Sequence, residues 1–286
     1  MRMRLIVTQL TAAILAAMLA PNAQAQLKLP RVSQAATVAQ TIGLTDITVT
    51  YSRPGVKNRV IWGDLVPYDK PWRTGANEAT RFTTTDSIQF GGKGLAAGTY
   101  ALLTIPGRDE WTLVINSQKD LWGAFEYKPE MDVLRVTAKP AENAPQEWME
   151  FTFEDLTPNS AGLVLRWEKL RVSVPIVVDA NGKALAAARA AVAGMKSDDW
   201  RTPFQAANFC LTNDTALDEG QAWLEKSLAI QTNYSNLSLQ ARWLAKQGKK
   251  AEAIKAGEKA LEAARASKDK VDTSALEKLL AEWKGE

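Results

Sequence analysis

The sequence contains no histidine and a single cysteine, Cys210. Without histidine, these residues cannot form a Ser-His-Asp or Cys-His catalytic arrangement, the usual zinc sites or a histidine-based pH switch. One cysteine excludes an internal disulfide, and we expect Cys210 to be a small buried hydrophobe on a helix rather than a reactive thiol. No run of alternating Asp and Asn offers the oxygens of a calcium loop. We therefore predict no metal and no cofactor.

A large excess of charge of one sign is also missing. The chain has 35 Lys and Arg against 32 Asp and Glu. Two of the 35, Arg2 and Arg4, fall in a predicted leader, which leaves 33 basic residues and a formal charge of +1. Binding to nucleic-acid phosphates needs a concentrated basic face. The charge balance therefore predicts no nucleic-acid partner.

The N-terminus has the pattern of a cleavable export signal. Arg2 and Arg4 precede an apolar run from Leu5 to Leu19, and Ala23-Gln24-Ala25 is a small-x-small cleavage site. The apolar run is shorter than the roughly 20 residues that span a bilayer, and no Cys stands directly after Ala25 to carry a lipid. We expect cleavage after Ala25, a periplasmic or secreted mature protein, and no stable membrane insertion afterwards.

Composition divides the remaining chain into two parts. Residues 36–180 alternate apolar and polar positions with frequent Gly and Pro, whereas residues 181–286 are rich in Ala, Leu, Lys and Glu and nearly lack Pro. With a signal peptide at 1–25 and a linker at 26–35, this division predicts an α+β protein. The expected order is an antiparallel β-sandwich or barrel-like domain followed by an all-α domain of helical hairpins.

The first part shows the two-residue period of half-buried strands. Ile47, Val49 and Tyr51 alternate with polar residues, and the same pattern recurs at 111–115, 151–153 and 163–167. After Trp167 the apolar residues switch from odd to even positions. A β-bulge near Glu168-Lys169 explains such a switch.

The second part predicts helices near residues 183–195, 199–211, 217–231, 236–247, 250–266 and 273–283. The segment 236–264 resembles a tetratricopeptide repeat, with Ala241, Gly248, Ala253 and Ala260 where that repeat places small residues at helix crossings. Such arrays bind peptides when about three repeats form a groove, but only one convincing copy is present. The sequence therefore allows two interpretations of this part: a small helical bundle, or a tail that binds a protein partner.

Four tryptophans in this second part raise the same question. They are Trp200, Trp223, Trp243 and Trp283. They would suit the lining of a groove, yet aromatic residues at helical spacing are more often core.

Residues 51–84, YSRPGVKNRVIWGDLVPYDKPWRTGANEATRFTT, crowd Arg, Lys, Trp, Asn and Glu into turns, which is typical of a functional site. With GGKGLAAGTYALLTIPGRDEWTLVIN at 91–116, this segment resembles the bacterial domain-of-unknown-function family numbered 2911. The matching residues are Arg53, Lys57, Arg59, Gly63, Pro67, Trp72 to Thr80, and Ala97 to Tyr100. Asn58 and Asp69 stand where that family commonly has glycine. The resemblance covers roughly 34–178; it implies an exported β-rich domain, often followed by helical repeats, and no known activity.

A cluster of cations in this segment has two interpretations. Arg53, Lys57 and Arg59 project to one side if the chain there is extended, and Arg73 arrives from the next turn. In the structural interpretation, Arg73 pairs with Glu78 and pins the loop. In the functional interpretation, the cations and nearby aromatic rings receive an anionic or sugar-like ligand. The candidate ligand-binding residues are Arg53, Lys57, Arg59, Trp62, Trp72, Arg73, Asn77, Glu78, Trp122 and Tyr127.

Other residues of the β part have simpler expected roles. Trp111, Trp148 and Trp167 stand in phase with apolar neighbours, which favours core packing over ligand stacking. Gly75 is expected to permit a close backbone approach and to supply a positive φ angle.

Three functions remain open from the residues. The leading hypothesis is a non-catalytic protein of the cell envelope that binds a small-molecule or saccharide ligand and contacts a protein partner through its helical tail. The first alternative is a hydrolase of an envelope saccharide that uses two carboxylates, Glu78 with Asp132 or Glu154. The second is a scaffold or assembly factor that acts through the tail. The sequence does not decide whether the protein is an enzyme, although the missing histidine favours a binding role.

Overall fold

The computed structural model describes residues 29–285. The predicted leader and its cleavage site lie outside these residues. Strands β1 to β10 are Gln34–Ile42, Thr45–Arg53, Thr80–Thr84, Ile88–Phe90, Lys93–Leu95, Gly98–Ile105, Trp111–Asn116, Asp132–Ala138, Ala141–Glu154 and Ser160–Val178. Helices α1 to α6 are Ala180–Gly194, Arg201–Thr212, Leu217–Ile230, Tyr234–Lys246, Lys250–Ala266 and Ser274–Lys284. The order of strands followed by helices confirms the predicted α+β class, and β1 already begins inside the expected linker.

The strands form two separate antiparallel sheets, so the fold is a sandwich and not a closed barrel. One sheet has the order β1-β2-β3-β6-β7-β8, and the other has the order β5-β4-β10-β9. Their facing side chains share one apolar core. In β2 the predicted alternation holds, because Ile47, Val49 and Tyr51 are buried while Thr50 is exposed. The Tyr51 hydroxyl lies within that core and accepts a hydrogen bond of 3.0 Å from the Phe151 backbone N–H.

The predicted bulge lies in the longest strand, β10. Its pairing with β9 shifts register on both sides of Glu168, and Glu168 has φ +56°. The extra residue moves the buried series from Leu163, Leu165 and Trp167 to the even positions from Val172 onward. Trp167 therefore remains in the core at the end of the sandwich that carries the long loop 54–79.

The helices pack as antiparallel hairpins through small side chains. Ala241 of α4 and Ala253 and Ala260 of α5 are all 0% exposed, as the tetratricopeptide-like spacing predicted. Gly248 differs: it lies in the turn between these helices with φ +77° rather than at a helix crossing. No helix within residues 29–285 has both the length and the apolar character needed to cross a membrane.

The four tail tryptophans do not line a common groove. Trp243 is 4% exposed and belongs to the core shared by α2, α3 and α4. Trp223 packs against the same cluster, whereas Trp283 packs against the α4–α5–α6 cluster. The structure therefore favours the core interpretation for these three tryptophans, whereas Trp200 packs beside Phe204 of α2 with ring centroids 5.9 Å apart.

The first helix is attached directly to the sandwich. Lys183 of α1 donates through Nζ to the Leu44 carbonyl and to Asp86 Oδ2, each at 2.5 Å. Ala180 packs against the sandwich core, and the Asp179 side chain caps the helix by accepting from the Gly182 N–H at 2.8 Å. The helical part thus continues the β part with contacts on both sides of Asp179.

Gly220 of α3 gives a test of the helix packing. A Cβ there would lie 2.6 Å from Cys210 Cβ and 2.6 Å from the Trp243 ring. Alanine gains about 1 kcal/mol in helix propensity, but overpacking of a close interface costs about 1–3 kcal/mol. We expect Gly220→Ala to lower the urea midpoint measured by circular dichroism. Gly194→Ala, where the new Cβ meets nothing within 4 Å, is the control, and equal midpoints for the two variants would contradict the packing.

Candidate functional site

The long loop between β2 and β3 folds as a series of tight turns. Five of the nine non-glycine residues with positive φ in the described chain lie in it: Lys57, Asn58, Asp69, Thr74 and Asn77. Asn58 (φ +56°) and Asp69 (φ +58°) adopt the left-handed conformation at the two positions where the resembling family commonly has glycine. Asn and Asp tolerate this conformation better than other side chains. Such a concentration of strained residues is typical of functional sites.

Thr74 is the most strained of these residues, because a β-branched side chain rarely adopts φ +54°. It is 0% exposed and is fixed by a buried network. Its hydroxyl donates to Thr104 Oγ1 at 3.1 Å, and its carbonyl accepts from Thr80 Oγ1 at 2.7 Å. Gly75 was expected to supply the positive φ, but that conformation falls on Thr74 and Asn77 instead. Gly75 instead allows the loop backbone to approach β2 closely, since a Cβ there would lie 3.0 Å from the Ser52 carbonyl.

Four tryptophans form an aromatic cluster where this loop packs on the sheets. Trp62 and Trp72 come from the loop, Trp111 from β7 and Trp167 from β10. Trp72 stacks on Trp167 with centroids 5.8 Å apart and planes 18° apart, and the edge of Trp62 contacts the other three rings. Backbone hydrogen bonds in both directions between Trp72 and Thr104 anchor the loop to β6.

Three of these indoles bury an N–H group without a conventional acceptor. The Nε1 atoms of Trp62, Trp111 and Trp167 have no hydrogen-bond partner among residues 29–285, whereas Trp72 Nε1 donates to the Gly75 carbonyl at 3.1 Å. Edge-to-face packing is the setting in which an N–H group meets a neighbouring aromatic face. The indoles of Trp62, Trp111 and Trp167 are therefore held by ring packing rather than by side-chain hydrogen bonds.

A pocket of about 430 Å³ opens above the stacked pair Trp72 and Trp167. This volume lies within the roughly 300–1,000 Å³ range of small-molecule sites. Its lining residues come from the loop, the segment after β7, the N-terminal segment and β10. They are Val32, Ser33, Pro54, Gly55, Lys57, Arg59, Leu65, Val66, Pro67, Pro71, Trp72, Arg73, Gly75, Ala76, Ala124, Phe125 and Trp167.

The charged residues that line the pocket are all cations. Within the described chain, Lys57, Arg59 and Arg73 form no ion pair with Asp or Glu. Arg73 is half-buried, and its Nε donates only a long bond of 3.3 Å to the Gly75 carbonyl. Burial lowers the pKa of the Arg73 guanidinium, which nevertheless stays protonated at neutral pH. A desolvated cation without a counter-charge favours a bound anion.

The other two cations have partial protein partners. Arg59 donates from Nε to the Val56 carbonyl at 3.1 Å and from Nη2 to the Gly55 carbonyl at 2.5 Å, so it also stabilises the turn. Lys57 Nζ lies 5.8 Å from the centroid of the Trp148 ring, and the Lys57 backbone N–H donates to Glu147 Oε1 at 3.0 Å. Arg73 is therefore the cation least occupied by the protein.

Arg53 lies outside the pocket because the chain from 53 to 59 is not extended. Lys57 and Asn58 both have positive φ and reverse the chain direction. Arg53 instead donates from Nε to the Met149 carbonyl at 2.8 Å and pairs with Glu150 at 3.2 Å. The expectation that Arg53, Lys57 and Arg59 project together is wrong for Arg53.

The predicted ion pair between Arg73 and Glu78 does not form. Glu78 pairs with Arg31 at 2.6 Å, and this hydrogen-bonded pair lowers the pKa of the Glu78 carboxyl. Asn77 Nδ2 donates to the Ser33 carbonyl at 3.1 Å. Both side chains therefore hold the N-terminal segment across the edge of the site instead of pointing into the pocket. The ion-pair partner was missed because Arg31 is 47 residues away in sequence.

The candidates after β7 also lie beside the pocket rather than in it. Trp122 is 58% exposed and has the Arg31 guanidinium 5.9 Å from its ring centroid. The Tyr127 hydroxyl donates to Asp132 Oδ2 at 2.8 Å and accepts from Arg135 at 2.7 Å. Burial, followed by the hydrogen bond to Asp132, raises the pKa of Tyr127 to about 12.

Trp62 and Trp148 also differ from their expected positions. Trp62 lies in the aromatic cluster beneath the pocket and is not part of its lining. Trp148, expected in the core, is 41% exposed on β9, where its ring faces Lys57. A period-two pattern alone did not separate it from Trp111 and Trp167, which are both 1% exposed.

Two aromatic residues of the pocket were not selected from the sequence. Trp167 was assigned only to the core, although the turn of β10 at Glu168 leaves its ring at the pocket floor. Phe125 is 85% exposed and forms part of the mouth. Its position in the loop LWGAFEYKP was the available signal, since an exposed aromatic residue on a turn is typical of a binding surface.

The three carboxylates proposed for hydrolysis are each bound to an arginine. Glu78 pairs with Arg31, Asp132 with Arg135 and Glu154 with Arg166. The hydrogen bond from Arg166 holds the pKa of Glu154 at about 2. A general acid for glycoside cleavage needs a raised pKa, whereas the pKa values of Glu78 and Glu154 are lowered. With Asp132 occupied by Arg135, these groups give the hydrolase alternative no support. No group of three or more Cys, Asp or Glu suited to a metal ion occurs within residues 29–285.

The β part of the chain matches a known protein family. The model of a family described as a protein of unknown function, DUF2911, matches residues 33–176, which is half of the chain and includes both sheets and the pocket loop. No curated protein and no solved structure matches the chain.

Proposed function

This chain belongs to the DUF2911 family of unknown function, and from its pocket we propose that it is an exported, non-catalytic protein of the cell envelope that binds an anionic ligand. The observation that carries the proposal is the pocket above Trp72 and Trp167, whose charged lining residues are Lys57, Arg59 and Arg73. No lining residue is acidic. The predicted signal peptide supports the envelope location.

Physical chemistry favours an anion over a neutral ligand at this site. A guanidinium presents several N–H donors in one plane and binds carboxylate or phosphate oxygens through two of them. Arg73 has most of these donors unoccupied by the described residues, since only its Nε bond to Gly75 is present. Partial desolvation by the surrounding loop strengthens its attraction for a negative charge. A carboxylate or phosphate would supply the missing counter-charge.

We expect Arg73→Gln to weaken anion binding by roughly 10- to 100-fold, because hydrogen bonds to a charged group contribute about 1.5–3 kcal/mol. The measurement is isothermal titration calorimetry of the mature protein with phenyl phosphate, supported by intrinsic tryptophan fluorescence. Trp72 and Trp167 form the pocket floor, so their fluorescence should change when the ligand binds.

Arg189→Gln is the matched control for this substitution. Arg189 lies on α1, is 53% exposed and pairs with Glu219, so its loss changes the net charge equally without touching the pocket. Wild-type affinity in Arg189→Gln with weakened binding in Arg73→Gln is the expected result. Equal affinities in all three proteins, or no anion binding by the wild-type protein, would overturn the proposed function.

The scaffold alternative has weaker support. The cavity between α3 and α4, lined by residues that include Leu224, Leu228 and Trp243, has a volume of only about 60 Å³. That volume is too small for a peptide groove. The helices nevertheless end the chain with exposed outer faces, and a partner protein at the tail stays a prediction.

A further inference from the structure

We propose that the ligand is a small amphiphilic anion: a single carboxylate or phosphate head bound at Arg73, joined to an apolar body that packs on Trp72 and the mouth of the pocket. The inference rests on the proposed function, because it names the chemical class of ligand for the same pocket. It is carried by the way donors and apolar surfaces are distributed among the lining residues.

The polar side chains of the lining donate hydrogen bonds and hardly accept them. Lys57, Arg59 and Arg73 are donors only, and the Ser33 hydroxyl is the one lining side chain, among the residues described, with lone pairs to offer. Each hydroxyl group of a sugar needs an acceptor as well as a donor when it is buried. The side chains of the pocket therefore suit a ligand whose polar end is rich in acceptors better than they suit a neutral saccharide.

The remaining wall is apolar. It consists of Pro54, Leu65, Val66, Pro67, Pro71, Trp72, Ala124, Phe125 and Trp167, with Val32 at the edge. The three prolines and the backbone bonds between Trp72 and Thr104 restrict the part of this wall that the loop contributes, which lowers the entropic cost of association. An apolar wall facing a group of cations matches a ligand with one charged end and one hydrophobic end.

Exposed hydrophobic side chains at the rim extend this surface outward. Phe125 is 85% exposed, Val32 is 73% exposed and Leu65 is 43% exposed. Large apolar residues grouped around one opening are typical of a ligand-binding mouth rather than of ordinary surface. Gly123 has φ +72° and lies next to both groups, since a Cβ there would lie 2.8 Å from the Phe125 ring and 3.2 Å from Arg73 Nη1. The rim and the cation are thus close neighbours.

The test compares three phosphates that share a head group. Inorganic phosphate offers the charge alone, phenyl phosphate adds an apolar ring, and glucose 6-phosphate adds a polyol. We expect phenyl phosphate to bind at least roughly tenfold more tightly than the other two, which corresponds to burial of on the order of 60 Å² of apolar surface. 3-Phenylpropionate, measured in parallel, replaces the phosphate by a carboxylate and identifies the preferred head group.

A second variant separates the apolar body from the charged head. Phe125→Ala is expected to weaken the binding of phenyl phosphate by several-fold and to leave the affinity for inorganic phosphate unchanged. Arg73→Gln should weaken the binding of both. Because Phe125 is largely exposed, its removal should leave the fold intact. Unchanged binding of phenyl phosphate in Phe125→Ala would contradict the proposed position of the apolar body.

The outcomes distinguish this inference from the proposed function. If inorganic phosphate and phenyl phosphate bind with equal affinity and Arg73→Gln abolishes both, the proposed anion site stands. The proposal of an amphiphilic ligand is then overturned. Tightest binding of glucose 6-phosphate would overturn it in favour of an acidic saccharide. Binding of none of the probes would overturn both. A last experiment measures co-sedimentation of the protein with phosphatidic acid vesicles. Co-sedimentation that phenyl phosphate competes away would mean that the phosphate head group belongs to a lipid. No co-sedimentation would mean that it belongs to a soluble molecule.

Discussion

Trp111→Ala should destabilise the protein by about 3–5 kcal/mol, the usual cost of replacing a buried tryptophan with alanine. Trp111 is 1% exposed and lies with its ring centroid 4.9 Å from that of Trp62 and 6.4 Å from that of Trp72. The substitution removes the ring that supports both loop tryptophans. Urea unfolding followed by far-ultraviolet circular dichroism measures the loss, and the affinity for phenyl phosphate should fall with it because Trp72 forms the pocket floor.

Two further variants make this prediction specific. Trp111→Phe should cost much less than Trp111→Ala, because the Nε1 group of Trp111 has no hydrogen-bond partner among the described residues and a phenyl ring fills much of the space. Trp122→Ala removes a tryptophan that is 58% exposed, so its effect should stay within about 0.5 kcal/mol. A Trp111→Ala variant as stable as Trp122→Ala would contradict a packed aromatic cluster beneath the pocket.

The elements of this fold could be predicted because their signals are local. The two-residue alternation of Ile47, Val49 and Tyr51 with polar residues predicted β2, and a break in the same alternation predicted the bulge at Glu168. Helix propensity and the scarcity of proline predicted all six helices within a few residues of their observed ends. The left-handed turns at Asn58 and Asp69 were not predicted, because these two residues stand where the family commonly has glycine and their own conformation was left open.

The composition of the site depended on contacts that no local pattern shows. Four of the residues selected from the sequence, Lys57, Arg59, Trp72 and Arg73, line the pocket. The sequence did not show that Glu78 would pair with Arg31 and leave Arg73 without a counter-charge. That single exchange of partners removes the expected ion pair between Arg73 and Glu78, and the proposed anion site rests on it. The floor residue Trp167 arrives from β10, more than 90 residues after Trp72, and only the pairing of the sheets brings the two rings together.

The charge of the pocket also follows from a long-range arrangement rather than from composition. The chain as a whole is nearly neutral after the predicted leader, yet one concave surface collects three cations and excludes acidic side chains. Local potential, and not net charge, governs the binding of a small ion in a partly desolvated site. A near-neutral protein of this kind can bind a small anion while lacking the extended basic face that a nucleic acid requires.

The second large effect is expected at Gly43, where the β part meets the first helix. Gly43 and Leu44 form the two-residue loop between β1 and β2, and Gly43 has φ +57°. A Cβ on Gly43 would lie 2.4 Å from Ala180 Cβ and 3.2 Å from the Pro158 carbonyl. Positive φ costs an alanine about 1–2 kcal/mol, and the clash adds about 1–3 kcal/mol because neither neighbour is a flexible side-chain end. We therefore expect Gly43→Ala to cost about 2–5 kcal/mol.

Gly92 is the matched control for Gly43, because it lies in the two-residue loop between β4 and β5, has φ +78°, and would carry a Cβ that meets nothing within 4 Å. Gly92→Ala should show the backbone strain alone, about 1–2 kcal/mol. The difference between the two variants in urea unfolding then measures how firmly α1 is attached to the sandwich through Ala180, alongside the bonds of Lys183 to Leu44 and Asp86. In Gly43→Ala, proteolysis should also cut near Asp179 more readily than in Gly92→Ala, since the displaced helix exposes that connection. Equal stability and equal cleavage of the two variants would mean that the helix moves aside without cost, so that the helical tail would be a freely appended unit and not a continuation of the β fold.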